Sequence, residues 1–218
     1  MNEKRLEELA VSLGTPSYVF DTDILKKRAD WAAKHLRPAG LCFAIKANPF
    51  LVGALEAHVD RYEVCSPGEF HICVQNGLPA DKIVLSGVNK EYEDVLYAMK
   101  HGVVHYTAES KSQCYLVERC AEELGKQVEI LLRVTSGNQF GMSEEDIKEL
   151  IREREKFHGL QIMGLQYFTG TQKKTVKKIA GEVTYIEDLI QRLEKEEGFS
   201  TRVLEFGPGL GVPYFTKD

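Results

Sequence analysis

The chain has 218 residues, 43% hydrophobic and 28% charged, with a formal net charge of −5, which is enough for one or two ordinary globular domains with a substantial core. The acidic balance gives no basic footprint for nucleic acid, and no stretch reaches the roughly eighteen apolar residues of a membrane span. The opening from Met1 to Glu8 is too charged to read as a secretory signal. Five cysteines (42, 65, 73, 114 and 120) are odd in number and form no Cys-x-x-Cys pair, and Cys42 and Cys65, inside expected strands, read as reduced core residues of a cytoplasmic protein. Cys65, His71 and Cys73 have metal-ligand side chains, but their spacing matches no familiar zinc pattern, and no metal is expected.

In chain order, an amphipathic opening helix ends near Gly14, and Ser17 to Asp21 reads as the first strand. A helix over Ile24–Leu36 follows. Leu41 to Ile45 is a short, wholly apolar run that closes on Lys46 and reads as a buried second strand. Asn48 then caps a helix with Pro49 at its first position. The third strand is expected over Tyr62–Ser66, the fourth over Lys82–Gly87, the fifth over Val103–Thr107 and the sixth over Val128–Val134. The seventh lies within Gln161–Phe168 and the eighth within Arg202–Phe206. Helices are expected over Ser110–Leu124 and Lys173–Glu196. Ser66-Pro67-Gly68-Glu69 carries an N-cap serine, a first-turn proline and a capping-box acid. Ser110 to Gln113 repeats the box, and Ser143 to Asp146 approximates it.

Eight strands alternating with helices predict an α/β fold, a parallel (β/α)₈ TIM-type barrel, with an open doubly wound sheet as the alternative. The chain stops soon after the eighth strand, so the barrel is expected to be truncated there, as part of a longer protein or a subunit covered by a partner. Trp31, Phe20, Phe43 and Phe70 read as core or helix-packing residues. The Lys-Lys pairs at 26–27, 173–174 and 177–178 read as solvated helix faces.

Barrels place reactive groups at the carboxyl ends of their strands. Here those ends carry Asp21, Lys46, Glu63 to Ser66, Ser86-Gly87, Arg133, Phe168 to Gln172 and Gly207 to Gly211. A lysine held partly dry at such an end is a nucleophile and Schiff-base former. The plain alternative is a lysine that ends its strand and reaches water. Gly207, Gly209 and Gly211 let a backbone approach an anion, and barrels often bind phosphate after the last strand. The alternative is a turn without a ligand. A buried amine facing a glycine-rich anion loop across a cavity suits pyridoxal 5'-phosphate, whose aldehyde bonds a lysine and whose phosphate needs backbone donors.

Seven segments together resemble the barrel domain of fold-type III pyridoxal-phosphate decarboxylases, the alanine racemase-like barrel of the diaminopimelate and ornithine decarboxylases. They are Thr15 to Asp21, Phe43 to Asn48, Cys65 to Glu69, Leu132 to Val134, Phe140-Gly141, Gly164 to Gln172 and Gly207 to Tyr214. The resemblance spans residues 15–214, is nearest to the diaminopimelate branch, and identifies residues 1–218 as the barrel domain without the family's C-terminal β-domain. It implies that Lys46 is the Schiff-base lysine and that Glu63 is an acidic residue near it. It further places Arg133 and Phe168 at the cofactor ring, Thr171 near the phosphate, and Gly207 and Gly209 in the phosphate loop.

The implied activity is decarboxylation of a basic or diamino acid, most simply diaminopimelate on the route to lysine, by a homodimer acting on a small-molecule substrate. The isolated 218 residues are expected to have little activity, because the family's C-terminal part supplies the carboxylate at the pyridine nitrogen and other site residues. Three positions depart from the family's pattern: Phe168 stands for a histidine, Pro208 for a glycine, and Gln139 for a lysine. The alternatives are an amino-acid racemase on the same barrel, or a non-catalytic relative acting through binding.

Overall fold

Local capping chemistry sets most of the element boundaries. The computed structural model describes residues 2–213 and 215, which divide into one unit ending at Tyr62 and another beginning at Glu63.

In the first unit, Asn2 caps α1 (Glu3–Leu13) by accepting the N–H of Arg5, and Gly14 ends it with φ +82. The extended segment that follows corrects the first expected strand. Ser17 to Asp21 forms no ladder among the described residues, and Tyr18 is 97% exposed. The apolar run of Tyr18, Val19 and Phe20 is there, but a strand exists only where a neighbour takes its backbone groups. Asp21 then caps α2 (Thr22–Leu36) through the N–H of Ile24. This helix buries only Ala29, and Trp31 and Phe20 are 54% and 52% exposed, so they are not the core residues expected. Phe43 is partly buried, and its ring meets that of Tyr62 edge to face.

Next come β1 (Cys42–Ala44), a 3₁₀ turn over Ile45–Ala47, a second over Pro49–Leu51 and the short α3 (Val52–Leu55). Asn48 caps the second turn by accepting the N–H of Phe50 at 3.2 Å, as expected. The Tyr62 hydroxyl donates to the Val52 carbonyl at 2.9 Å. Tyr62 is buried along with Ile45, Val52 and Leu55. β2 (Arg61–Val64) begins here and continues into the second unit.

The second unit is a regular series of helix and strand steps. It runs through α4 (Pro67–Gln75), β3 (Ile83–Leu85), α5 (Tyr92–Lys100), β4 (His105–Ala108) and α6 (Lys111–Leu124). It continues with β5 (Val128–Val134), α7 (Glu144–Arg152), β6 (Leu160–Phe168), α8 (Val176–Glu197) and β7 (Val203–Gly207). Ser66, Ser110 and Ser143 cap α4, α6 and α7 through the N–H three residues on. The box residues Glu69 and Gln113 reach back to the N–H of Cys65 and Glu109, one residue before the serine. Lys173 precedes α8 rather than lying in it.

Every strand pair from β3 to β7 is parallel and follows chain order, and the Ser86 N–H joins β3 to β2 through the Val64 carbonyl at 2.7 Å. A doubly wound sheet reverses its strand order at a switch point. No reversal occurs here, which leaves barrel-type winding. Seven strands are formed among the described residues, one fewer than expected, the difference being the segment 17–21. Ile130, Leu132 and Leu165 of the sheet and Ile147 and Leu189 of the helices are buried. No described helix is long and apolar enough to cross a membrane.

Candidate active site

Lys46 belongs to the first unit, and the other predicted site residues, Glu63, Arg133, Phe168, Thr171, Gly207 and Gly209, belong to the second. Lys46 follows β1 within the Ile45–Ala47 turn, where Ile45 is buried and Lys46 is exposed. This corrects the expectation of a buried amine. A 3₁₀ turn rotates successive side chains by about a third of a circle, so seating Ile45 in the core carries its neighbour out of it.

In the second unit, ladder register builds a row across three strands. Arg133 of β5 pairs with Gln166 of β6, and Gln166 with Glu205 of β7. Gln166 is buried. Its amide nitrogen donates to Glu205 Oε1 at 2.7 Å and to Glu63 Oε1 of β2 at 3.2 Å, with Ser86 Oγ at 3.5 Å. One neutral amide therefore lies between two carboxylates, each of which uses one of its hydrogens. Glu63 was foreseen from the sequence, but Gln166 and Glu205 were not. The signal available was a single polar residue, Gln166 or Glu205, flanked on both sides by apolar strand residues.

At the end of the row, Arg133 pairs with Glu109, Nη1 to Oε1 at 2.7 Å, and its guanidinium lies 5.1 Å from the centroid of the Phe140 ring. Both partners are largely buried. Arg133 Nε and Glu109 Oε2 are buried without a hydrogen-bond partner among the described residues, a donor and an acceptor left over for a polar ligand.

Two residues further along the same strand face, Phe168 pairs with Gly207. A Cβ at Gly207 would lie 2.7 Å from Phe168 Cδ2, so the ring occupies the place of the missing side chain. Beyond it, Gly209 has φ +61, and a Cβ there would meet the Gly170 carbonyl oxygen at 1.8 Å; glycine is required on both counts. The Lys173 N–H donates to the Gly209 carbonyl, and the Gly211 N–H to the Lys173 carbonyl, both at 2.9 Å. The Val212 N–H donates to Gln172 Oε1 at 3.0 Å. These bonds hold the 170–173 and 207–212 segments together, with Thr171 exposed at the turn.

A second lysine escaped the sequence reading. Lys90 Nζ donates to the Gly87 carbonyl at 2.6 Å and to Gln113 Oε1 at 3.2 Å. It borders a cavity of about 260 Å³ lined also by Cys65, Ser66, Phe70, Ser86 and Asn89. Burial pushes its amine down to about 8, against the pull of Glu109 and other nearby groups. No cluster of three or more metal-ligating side chains occurs among the described residues.

Parallel winding and a glycine-lined cradle after the last strand make an α/β-barrel domain suited to a phosphorylated small molecule. Residues 22–218 match the pyridoxal-binding domain of the pyridoxal-dependent decarboxylases, and the chain belongs to that family, whose cofactor is pyridoxal phosphate. It is 29% identical over 230 residues to a diaminopimelate decarboxylase of Aquifex aeolicus, covering 98% of this chain and 54% of that protein. It is also 29% identical over 231 residues to a diaminopimelate decarboxylase of Zymomonas mobilis, covering 96% and 55%. A crystal structure of an Aquifex aeolicus protein superposes with a TM-score of 0.86 at 29% identity, covering 98% of this chain and 53% of that one. The chain thus spans about half the length of the curated relatives it matches, and its fold is that of their barrel domain.

Proposed function

We propose that the whole protein decarboxylates a basic or diamino acid with pyridoxal phosphate, diaminopimelate being the first candidate, and that Lys46 is its Schiff-base lysine. Family membership carries the reaction class, and the Aquifex and Zymomonas relatives, both diaminopimelate decarboxylases, support the substrate. Residues 1–218 form the barrel domain in this reading. A C-terminal β-domain belongs to the remaining length of the relatives, and the working assembly is a homodimer.

The residues present fit the cofactor. The Phe168 ring and the Gly170 carbonyl fill the places of the missing side chains at Gly207 and Gly209, so this cradle can offer a phosphate backbone groups alone. Arg133 Nε is a buried donor in want of an acceptor. In this reading Gly207, Gly209 and Thr171 hold the phosphate, and Arg133 and Phe168 hold the ring. Bound there, pyridoxal phosphate supplies an electron sink for the pair released when the bond to the carboxylate breaks.

The remaining work falls to side chains. Lys46 would hold the cofactor through its aldehyde, with Nζ as the bonding amine. Gln166 Nε2 keeps Glu63 Oε1 and Glu205 Oε1 oriented as acceptors. The Arg133 guanidinium, fixed by Glu109, donates to the bound ring or substrate. Phe168 presents a flat apolar face that excludes water but has no proton to give, so the proton returned to the α-carbon comes from another group.

The test is carbon dioxide release from meso-diaminopimelate, lysine, ornithine and arginine by the full-length protein with added cofactor, beside Lys46→Ala. Release from a diamino acid that is lost in Lys46→Ala, together with the visible absorbance of lysine-bound cofactor, supports the reading. Unchanged turnover in Lys46→Ala refutes it. Phe168, lacking a titratable proton, favours one further reading, a relative that binds the cofactor without turnover. Cofactor absorbance with no carbon dioxide from any of the four would establish that one.

A further inference from the structure

A buried ion pair behind the cradle has no part in the chemistry above. Lys173 is buried, and its ammonium donates to Glu182 Oε2 at 2.6 Å, to the Pro208 carbonyl at 3.0 Å and to Thr169 Oγ1. Three N–H groups meet three acceptors. The Thr169 hydroxyl in turn donates to Glu182 Oε1 at 2.7 Å, so both carboxylate oxygens are engaged. A buried ion pair is weak evidence of stability, since apolar residues often fill such a place as well. Its effect is to be sought in what it orients.

What it orients is a peptide plane. The Pro208–Gly209 peptide is trans, and a trans peptide directs its carbonyl and the following N–H to opposite sides. With the Pro208 carbonyl drawn back to Lys173, the Gly209 N–H is aimed away from Lys173. That N–H has no acceptor among the described residues. Pro208 has no N–H to offer, and the Gly211 N–H is taken by the Lys173 carbonyl, so the Gly209 N–H is one of the few donors the loop has left, and its direction bears on what the loop can bind.

We propose that Lys173 is a positioning residue for the anion end of the cofactor site: clamped by Glu182 and Thr169, it fixes the Pro208 carbonyl and thereby aims the Gly209 N–H at the cofactor's phosphate. The proposal rests on the pyridoxal phosphate reading. Glu182 neutralises the ammonium, so Lys173 contributes geometry rather than net charge.

The test compares affinities for pyridoxal 5'-phosphate and for pyridoxal, which lacks the phosphate, by equilibrium dialysis of the full chain. The variant Lys173→Met/Glu182→Gln removes the clamp without leaving a lone buried charge. It should bind pyridoxal 5'-phosphate about tenfold more weakly, the scale of one charge-assisted hydrogen bond, and bind pyridoxal as the unaltered chain does. Equal weakening toward both ligands, or none toward either, overturns the proposal. If the double variant fails to fold, the isosteric Glu182→Gln takes its place, with an expected loss of about threefold confined to the phosphorylated ligand; equal loss toward both, or none, overturns it as well. An unaltered chain that binds both ligands equally sinks the role of Lys173 alone. One that binds neither removes the pyridoxal phosphate reading and this proposal with it.

Discussion

The ring of Phe168 lies against the backbone of Gly207, where a methyl group would come within 2.7 Å of Cδ2. The two residues are register partners on β6 and β7, so the absence of a side chain on one is the space for the ring of the other. Gly207→Ala should therefore lower stability by about 1–3 kcal/mol through overpacking. Phe168→Leu in the same chain should recover much of that loss. Denaturant unfolding of the two single variants and the double gives the coupling directly; additive losses would show that the ring yields without cost.

Removing Glu109 leaves the Arg133 guanidinium buried beside Phe140 with no counter-charge. Glu109→Ala is expected to cost about 3–5 kcal/mol, the usual range for breaking a buried pair. Arg133→Met/Glu109→Met should cost clearly less, because no charge is left behind. Urea unfolding midpoints at neutral pH decide this, and equal losses in both variants would contradict it.

Acid should loosen the clamp behind the cradle. Burial pushes the Glu182 carboxyl up, but hydrogen bonds from Lys173 and Thr169 outweigh it and hold the group below its ordinary value of 4.5. The folded value lies below the unfolded one, so this carboxylate contributes stability that is fully present above about pH 4.5 and is lost as pH falls through the folded value. Thermal unfolding between pH 3 and 6 (on the order of the carboxylate range) should show a shallower acid slope in Glu182→Gln than in the unaltered chain.

Lys90 has the opposite dependence. Burial takes its amine from 10.5 to about 8, so between those values the unfolded chain binds more protons than the folded one. Stability should consequently rise with pH across about 8 to 10.5. Lys90→Met should flatten that rise, as read from denaturant midpoints at its two ends. An unchanged slope would mean that Lys90 ionises as freely folded as unfolded.

Much of the scaffold is legible in single residues because caps are local: Asp21, Asn48, Ser66, Ser110 and Ser143 each bond within three residues of themselves. Parallel winding follows from the alternation of strand and helix patterns. Several of the misreadings come from dependence on distant chain. Ser17 to Asp21 has a strand's apolar run but no ladder neighbour among the described residues. Trp31 has a core residue's chemistry on a helix that buries only Ala29. Lys173 reads as a solvated lysine beside Lys174, although it bonds Thr169 and Glu182 four and nine residues away as well as the remote Pro208. Gln166 and Glu63 are separated by 103 residues, and nothing in either neighbourhood announces the other. Lys46 is the exception: the phase of a single local turn, not a remote contact, decided its exposure.

Because Arg133, Gln166 and Glu205 stand abreast through the pairing of three parallel strands, their alignment is a property of chain phase rather than of any one side chain. Inserting or deleting one residue within β6 would turn its faces over. Leu165 or Tyr167 would then stand where the amide had been, and the two acids would lose the group that separates them. Length changes should therefore be tolerated far better in the loops that flank β6 than inside it.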